Sequence, residues 1–156
     1  MTTIRHVLAH EGERLKAIRL HALQVDPAGF SSTYEREAAL PEDWWTSRAA
    51  LSEAGKVQRM FVVVDAGDHW LGTALARRDD RGQAVLNAMW VAPDARGQGA
   101  ASALCDACAE WARERGFETL EVEVFEDNAA GRRVYESAGF VAHGTNEQLL
   151  VLRRPL

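Results

Sequence analysis

The chain runs Val91-Ala92-Pro93-Asp94-Ala95-Arg96-Gly97-Gln98-Gly99-Ala100-Ala101-Ser102 between a strand-like apolar run and a helical pattern. A turn that opens a helix leaves backbone N–H groups without partners. The helix dipole adds partial positive charge behind them, so such a turn attracts anions. Gly97, Gly99, Ala100 and Ala101 are small enough to let a ligand reach the backbone, and Arg96 adds a cation beside them. The same residues would serve equally as a Gly-rich entry to an ordinary helix, and the turn alone does not decide between the two. Two nucleotide-binding alternatives fail on spacing. A Walker loop ends in Gly-Lys-Ser/Thr, whereas Ala100 follows Gly99; a dinucleotide fingerprint begun at Gly97 needs Gly or Ala where Ser102 stands.

Further on, Asn128, Tyr135, Gly139 and Phe140 carry a second pattern. Arg96-Gly97-Gln98-Gly99-Ala100-Ala101, read as R-x-x-G-x-A, resembles the acetyl-CoA pyrophosphate loop of the GCN5-related N-acetyltransferases (the GNAT superfamily). Asn128 to Phe140 is similar to that family's N-x-x-A-x-x-x-Y-x-x-x-G-F segment. The two motifs stand in the family's order and span about Val85 to Phe140, a more specific signal than either alone.

The resemblance implies roles. Backbone N–H groups from Gln98 to Ser102 would hold the pyrophosphate of acetyl-CoA, with Arg96 and Gly97 at the mouth of the loop. Backbone groups of Met89, Trp90 and Val91 would pair with the pantetheine arm like an added strand. A splay between Trp90-Val91 and the strand ending at Phe125 would admit that arm. Asn128 would hydrogen-bond it, and Tyr135 would lie near the thioester sulfur. Coenzyme A would leave as product. Two positions depart from the pattern: the usual Ala is Gly131, and the next, commonly apolar, residue is Arg132. Glycine there costs helix stability of about 1 kcal/mol but leaves room for the cofactor. Arg132 and Arg133 either approach the cofactor's phosphates or are solvated.

The implied reaction moves an acetyl group to a primary amine by direct attack. An amine of pKa near 10 is mostly protonated at neutral pH, and removing its proton costs about 4 kcal/mol. A general base, or water leading to one, must help. Charge developing on the thioester oxygen needs a donor, for which a backbone N–H near Trp90 or Val91 is the natural candidate. The departing thiolate needs a proton, which the Tyr135 phenol can give. Candidate bases are Glu123, Glu35 and Glu126, with His21 behind them; Glu121 and Glu123 share a strand face, so both could simply meet solvent. The acceptor is expected against Phe30, Tyr34, Glu35 and Asn87, with Trp45 and Met89 alongside, although Phe30 and Tyr34 would equally anchor a helix corner. A non-catalytic acyl-CoA-binding or regulatory module is the competing reading, and the Tyr135 match speaks against it.

These residues need a scaffold. Thr3–Leu8 reads as a strand, and Leu15, Ile18, Ala22 and Val25 recur at helical spacing. A second helical region runs from about Thr33 to Ala54, interrupted at Pro41. Gln58–Asp65, Trp70–Arg78 and Ala84–Val91 form an antiparallel meander. A helix then ends at Gly116. Strand Thr119–Phe125, a helix from about Ala129 to Ala138, and short strands near Val141–His143 and Gln148–Arg153 complete the chain. Strand, glycine turn, helix and strand make a crossover unit with parallel strands. The expected fold is α/β (α+β): a mixed central sheet with helices on both faces, in the order β-α-α-β-β-β-α-β-α-β-β, as one domain over residues 1–156.

Composition agrees. At 156 residues, 47% hydrophobic and 26% charged, the chain is an ordinary globular one. Its net charge of −5 argues against nucleic acid as a partner. No apolar run is long enough for a membrane span, and the N-terminus lacks the apolar core of a signal peptide, so a cytoplasmic location is expected. Cys105 and Cys108 share a helix face but have no zinc-completing partners and are expected to be buried. The five histidines form no metal spacing. The expected partner is a small-molecule amine acceptor, and the family resemblance allows a homodimer.

Overall fold

The computed structural model describes all 156 residues. Seven strands form one sheet: β1 (Thr3–His6), β2 (Gln58–Val64), β3 (Trp70–Arg78), β4 (Ala84–Val91), β5 (Thr119–Phe125), β6 (Val141–Asn146) and β7 (Leu149–Pro155). Their order across the sheet is β1-β2-β3-β4-β5-β7-β6. Every neighbouring pair is antiparallel except β4–β5. Five helices accompany it: α1 (Gly12–Val25), α2 (Tyr34–Ala38), α3 (Glu42–Ala54), α4 (Ala100–Glu114) and α5 (Ala129–Ser137). The expected mixed sheet, meander and parallel crossover through α4 are all present. The final hairpin is longer than its sequence signal, because β6 continues through Gly144 and Thr145 to Asn146. No helix is long and apolar enough to cross a membrane.

Alternation along the strands assigns the two faces. Val63, Ala74, Ala76, Leu86, Leu120, Val122, Val124 and Leu152 point to one face. There they pack on Leu104, Cys105, Cys108 and Trp111 of α4 and on Tyr135 and Phe140. Both cysteines are fully buried, as their composition predicts. Val62 and Val64 point the opposite way, onto Ala49 of α3, while Trp90 packs under Ile18 and Ala22 of α1. Helix α4 carries its apolar residues on one stripe and stops where Gly116 takes φ +82°, a conformation glycine reaches at little cost. The Trp111 indole donates to the Gly55 carbonyl at 2.8 Å, tying α4 to the end of α3.

The short helix α2 is rotated in a way its sequence does not announce. Thr33 caps it, its hydroxyl accepting from Arg36 N at 3.2 Å. Glu37 turns inward to a bidentate pair with Arg19 of α1, at 2.9 and 3.0 Å. That pairing decides which face of α2 looks inward. Glu121 corrects another expectation: it is buried (2% exposed), accepting from Arg81 at 2.5 Å and Arg153 at 3.0 Å, so it does not meet solvent.

Candidate functional site

The ladder between the two parallel strands is short. It pairs Ala84 with Leu120, Val85 with Glu121 and Leu86 with Val122, and then stops. Beyond Leu86 the β4 edge that faces β5 has no strand partner, which is the expected splay. Its cause lies in β4. Ala88 takes φ +56°, a left-handed conformation uncommon outside glycine, and the β3–β4 register shifts between Thr73 and Leu75. This is a bulge, which bends a strand and raises its twist. The Thr73 hydroxyl holds it by donating to the Ala88 carbonyl at 2.9 Å. Alanine carries no turn signal, so sequence reasoning did not find the bulge.

A continuous cleft of about 1950 Å³ runs through the splay, from the α1–α3 side of the sheet to the N-termini of α4 and α5. At the α4 end, Gly97 and Gly99 take φ +77° and +84°. Space is open where a Cβ would stand on either, so backbone conformation rather than packing calls for glycine. Gly99 opens α4 with no side-chain cap and no acidic residue in the first turn. The N–H groups of Ala100, Ala101 and Ser102 therefore face the cleft with their charge uncancelled, and the site fits a phosphate-bearing ligand. Gln98 lies between two lining glycines without lining the cleft itself.

Arg96 does more than add charge. Its Nε donates to the Val91 carbonyl at 2.9 Å, and a terminal nitrogen donates to Asp26 Oδ2 at 2.7 Å. The same carboxylate oxygen accepts from the Trp90 indole at 2.8 Å. These bonds, the Trp90 donation foremost, hold the Asp26 carboxyl below its usual range. Arg96 thus clamps the end of β4 to the end of α1. Asp26 belongs to the site, and its only sequence signal was its place before a helix-breaking proline.

Asn128 caps α5: its side-chain oxygen accepts from Gly131 N at 2.9 Å. Tyr135 lies two turns further along α5 and lines the cleft. It is 8% exposed, its ring edge-on to Phe140 at 5.6 Å. Burial pushes its phenol well above the ordinary tyrosine value, with the neighbouring Cys105 and Cys108 adding to the shift. The phenol is therefore neutral, and able to donate, across the physiological range. Arg133 lines the same end, whereas Arg132 pairs with Glu136 at 3.3 Å.

Of the four candidate bases, Glu123 lines the cleft, on the β5 side of the splay; its one hydrogen-bond partner is the Asn146 amide at 3.4 Å. Glu35, Glu126 and His21 do not line it, and His21 lies edge-on to Trp90 at 5.8 Å. Of the expected acceptor residues, Phe30, Asn87, Met89 and Trp45 line the cleft. Tyr34 and Glu35 do not: the inward rotation of α2 offers Arg36 and Glu37 in their place, with Leu40 in the turn that follows. Sequence reasoning also missed Trp44, Arg48 and Arg77, which come from elements far apart in the chain.

Comparison with known proteins agrees with this geometry. The family model "Acetyltransferase (GNAT) family" matches residues 15–140. The PaiA N-acetyltransferase of Thermoplasma acidophilum, solved with coenzyme A, superposes with a TM-score of 0.82 at 14% identity, covering 100% of this chain and 99% of its own. A GCN5-related N-acetyltransferase from Kribbella flavida gives 0.77 at 25% identity, covering 99% and 98%. The spermidine N-acetyltransferase of Vibrio cholerae, solved with CoA and spermine, gives 0.70 at 17% identity, covering 99% and 94%. No curated protein sequence matches this chain significantly. With its splayed parallel strands, its glycine turn into α4 and a family match over most of its length, the chain belongs to the GNAT family of acetyltransferases.

Proposed function

We propose that this enzyme transfers the acetyl group of acetyl-CoA to a primary amine on a small molecule, by direct attack of the amine on the thioester. The observation that carries the reading is the splay itself: an unpaired β4 edge, the bare α4 N-terminus and Tyr135 all open onto one cleft. When bound, acetyl-CoA supplies the activated acyl group.

The chain's own residues do the rest. Backbone N–H groups from Gly99 to Ser102 would hold the pyrophosphate, with Arg96 fixing the turn's approach from β4 and Arg133 on the far side; Gln98, expected among them, stands outside the cleft lining. The free edge at Met89, Trp90 and Val91 pairs with the pantetheine arm as an added strand, and Asn128 borders its path. Backbone N–H groups on that edge stabilise charge on the carbonyl oxygen. Glu123 takes the amine proton, directly or through water, which meets the deprotonation cost of about 4 kcal/mol. Tyr135 gives a proton to the departing sulfur. Its buried, neutral phenol suits that task.

Calorimetric titration with acetyl-CoA tests the cofactor half. Gly99→Glu would confound charge with backbone strain at φ +84°. Ala101→Glu is the cleaner control: it puts a carboxylate in the first turn of α4, where an acid favours the helix dipole, and because Ala101 is half-buried against the core, circular dichroism of the variant establishes that it folds. Saturable binding to the natural protein, weakened at least about tenfold in Ala101→Glu, is expected. No binding by the folded natural protein overturns the reading. Thiol release with a panel of amines tests the transfer half.

A further inference from the structure

The acceptor half of the cleft has a floor and a roof. Leu75 and Arg77 of β3, Asn87 of β4 and Glu123 of β5 lie on the floor, on the sheet face opposite α4. Helices α2 and α3 form the roof. Arginines stand on both, opposite a single floor carboxylate, Glu123. Arg77 lines the floor and is held by a neutral group, donating from Nε to Asn87 Oδ1 at 2.6 Å. Arg48 lines the roof, stacked on the Trp44 ring at 4.5 Å. Arg36 joins them from α2.

None of these three guanidiniums is paired with a carboxylate of the protein. The two acids on the α1–α2 side are already taken, Glu37 by Arg19 and Asp26 by Arg96. Glu123 is left as the free carboxylate on the floor, at the splay. The chain as a whole is acidic, at −5, so a cationic cleft is a local arrangement and not a reflection of composition.

The arginines are also presented in a form that suits binding. A guanidinium stacked on an indole keeps its edge N–H groups free, and one whose Nε is engaged still offers its terminal nitrogens. Such forks match a carboxylate in a bidentate way. An acceptor carrying only amines would instead bring ammonium groups among unpaired guanidiniums, where like charges repel.

Resting on the acetyltransferase reading above, we infer that the acceptor is an aminocarboxylate: a small amine whose own carboxylate docks between Arg48 and Arg77 while its amine faces Glu123 and the splay. Polyamines are poor acceptors for this enzyme. Arg48 and Arg77 are specificity residues, and Arg36 reinforces the field at the entrance. The floor sets the order of groups. Arg77 on β3 takes the carboxylate, and Glu123 on β5 takes the amine end, with the width of β4 between them.

The test compares kcat/KM, read by thiol release with acetyl-CoA, across three sets of acceptors. The sets are the common amino acids with β-alanine and γ-aminobutyrate, the carboxamide of each, and spermidine. At least one aminocarboxylate is expected to exceed its own carboxamide, and spermidine, by about tenfold or more. Arg48→Gln and Arg77→Gln, each separately, should remove that preference by lowering kcat/KM for the acid alone. Arg77→Lys should restore only part of it, because an ammonium cannot form the fork. Carboxamides or spermidine acetylated as well as the acids, or variants that slow acid and amide equally, overturn the inference. So does an enzyme that binds acetyl-CoA but acetylates no aminocarboxylate of the set. Failure to bind acetyl-CoA at all would instead strike the acetyltransferase reading beneath it.

Discussion

The side-chain oxygen of Asn128 accepts from the backbone N–H of Gly131 at 2.9 Å, and a Cβ built on Gly131 would stand 2.6 Å from the Asn128 amide nitrogen. The glycine that departs from the family pattern is thus matched to the conformation of the asparagine that keeps to it. With alanine at 131, the amide would have to swing away from its capping position, and the N-terminus of α5 would lose a hydrogen bond.

That coupling has a measurable sign. Gly131→Ala alone should be nearly neutral, because a helix-propensity gain of about 1 kcal/mol is offset by a lost cap of about the same size. Asn128→Ala alone should cost about 1 kcal/mol. Once the amide is gone the Cβ has no conflict, so the double variant should be about 1 kcal/mol more stable than Asn128→Ala. Urea unfolding of the four proteins checks this; strict additivity would refute it.

Tyr135→Phe keeps the ring against Phe140 and removes only the hydroxyl. Turnover should fall about a hundredfold while acetyl-CoA affinity by calorimetry holds within about twofold. The pH profile adds a second check. A general acid works while protonated, and burial raises this phenol above its ordinary value. The natural enzyme should therefore show no alkaline loss of kcat centred near the free-tyrosine pKa of about 10. An alkaline limb there that survives in Tyr135→Phe would belong to another group.

Asp26→Ala should do two things at once. It leaves the Trp90 indole N–H without its partner, costing about 1–3 kcal/mol, and it frees Arg96, loosening the turn that precedes α4. Acetyl-CoA binding should weaken with stability. The Asp26 carboxyl is held below its usual range in the fold, so its contribution is present above the unfolded value, about 3.9, and is lost as pH falls through the folded one. The stability gap between the two proteins should be full at pH 7 and should narrow in acid. A gap that stays constant down to about pH 2 would show that the carboxylate's charge contributes nothing.

Glu121→Gln tests the ion cluster on the far strands. The carboxylate is buried between Arg81 and Arg153, and the amide that replaces it can satisfy only one of them as an acceptor. A loss of about 2 kcal/mol is expected rather than the larger cost of a fully buried orphan charge, since both arginines can turn to water. The transfer reaction should be little changed, because Glu123, not Glu121, lines the cleft. Chemical denaturation and thiol release measured on the same variant separate the two effects.

What could be read from the chain alone was what contiguous residues encode. The turn into α4 depends on two glycines a single residue apart and on the small residues after them, and its geometry follows from local backbone preference. The meander, the crossover and the α5 motif are likewise sets of neighbours along the chain, so strand alternation and helical spacing place them. The acceptor half was not legible in this way. Tyr34 and Glu35 looked promising beside Phe30, but α2 is a single short helix whose facing is decided by Glu37 reaching Arg19 on another helix. The Ala88 bulge gives no sign of itself, since alanine has no preference for that conformation and a hydrogen bond from Thr73, on the neighbouring strand, holds it there. Arg36, Arg48 and Arg77 come from a short helix, a long helix and a strand. Their meeting around one cleft is a consequence of how two layers pack on a sheet, and no periodicity along the chain carries that information.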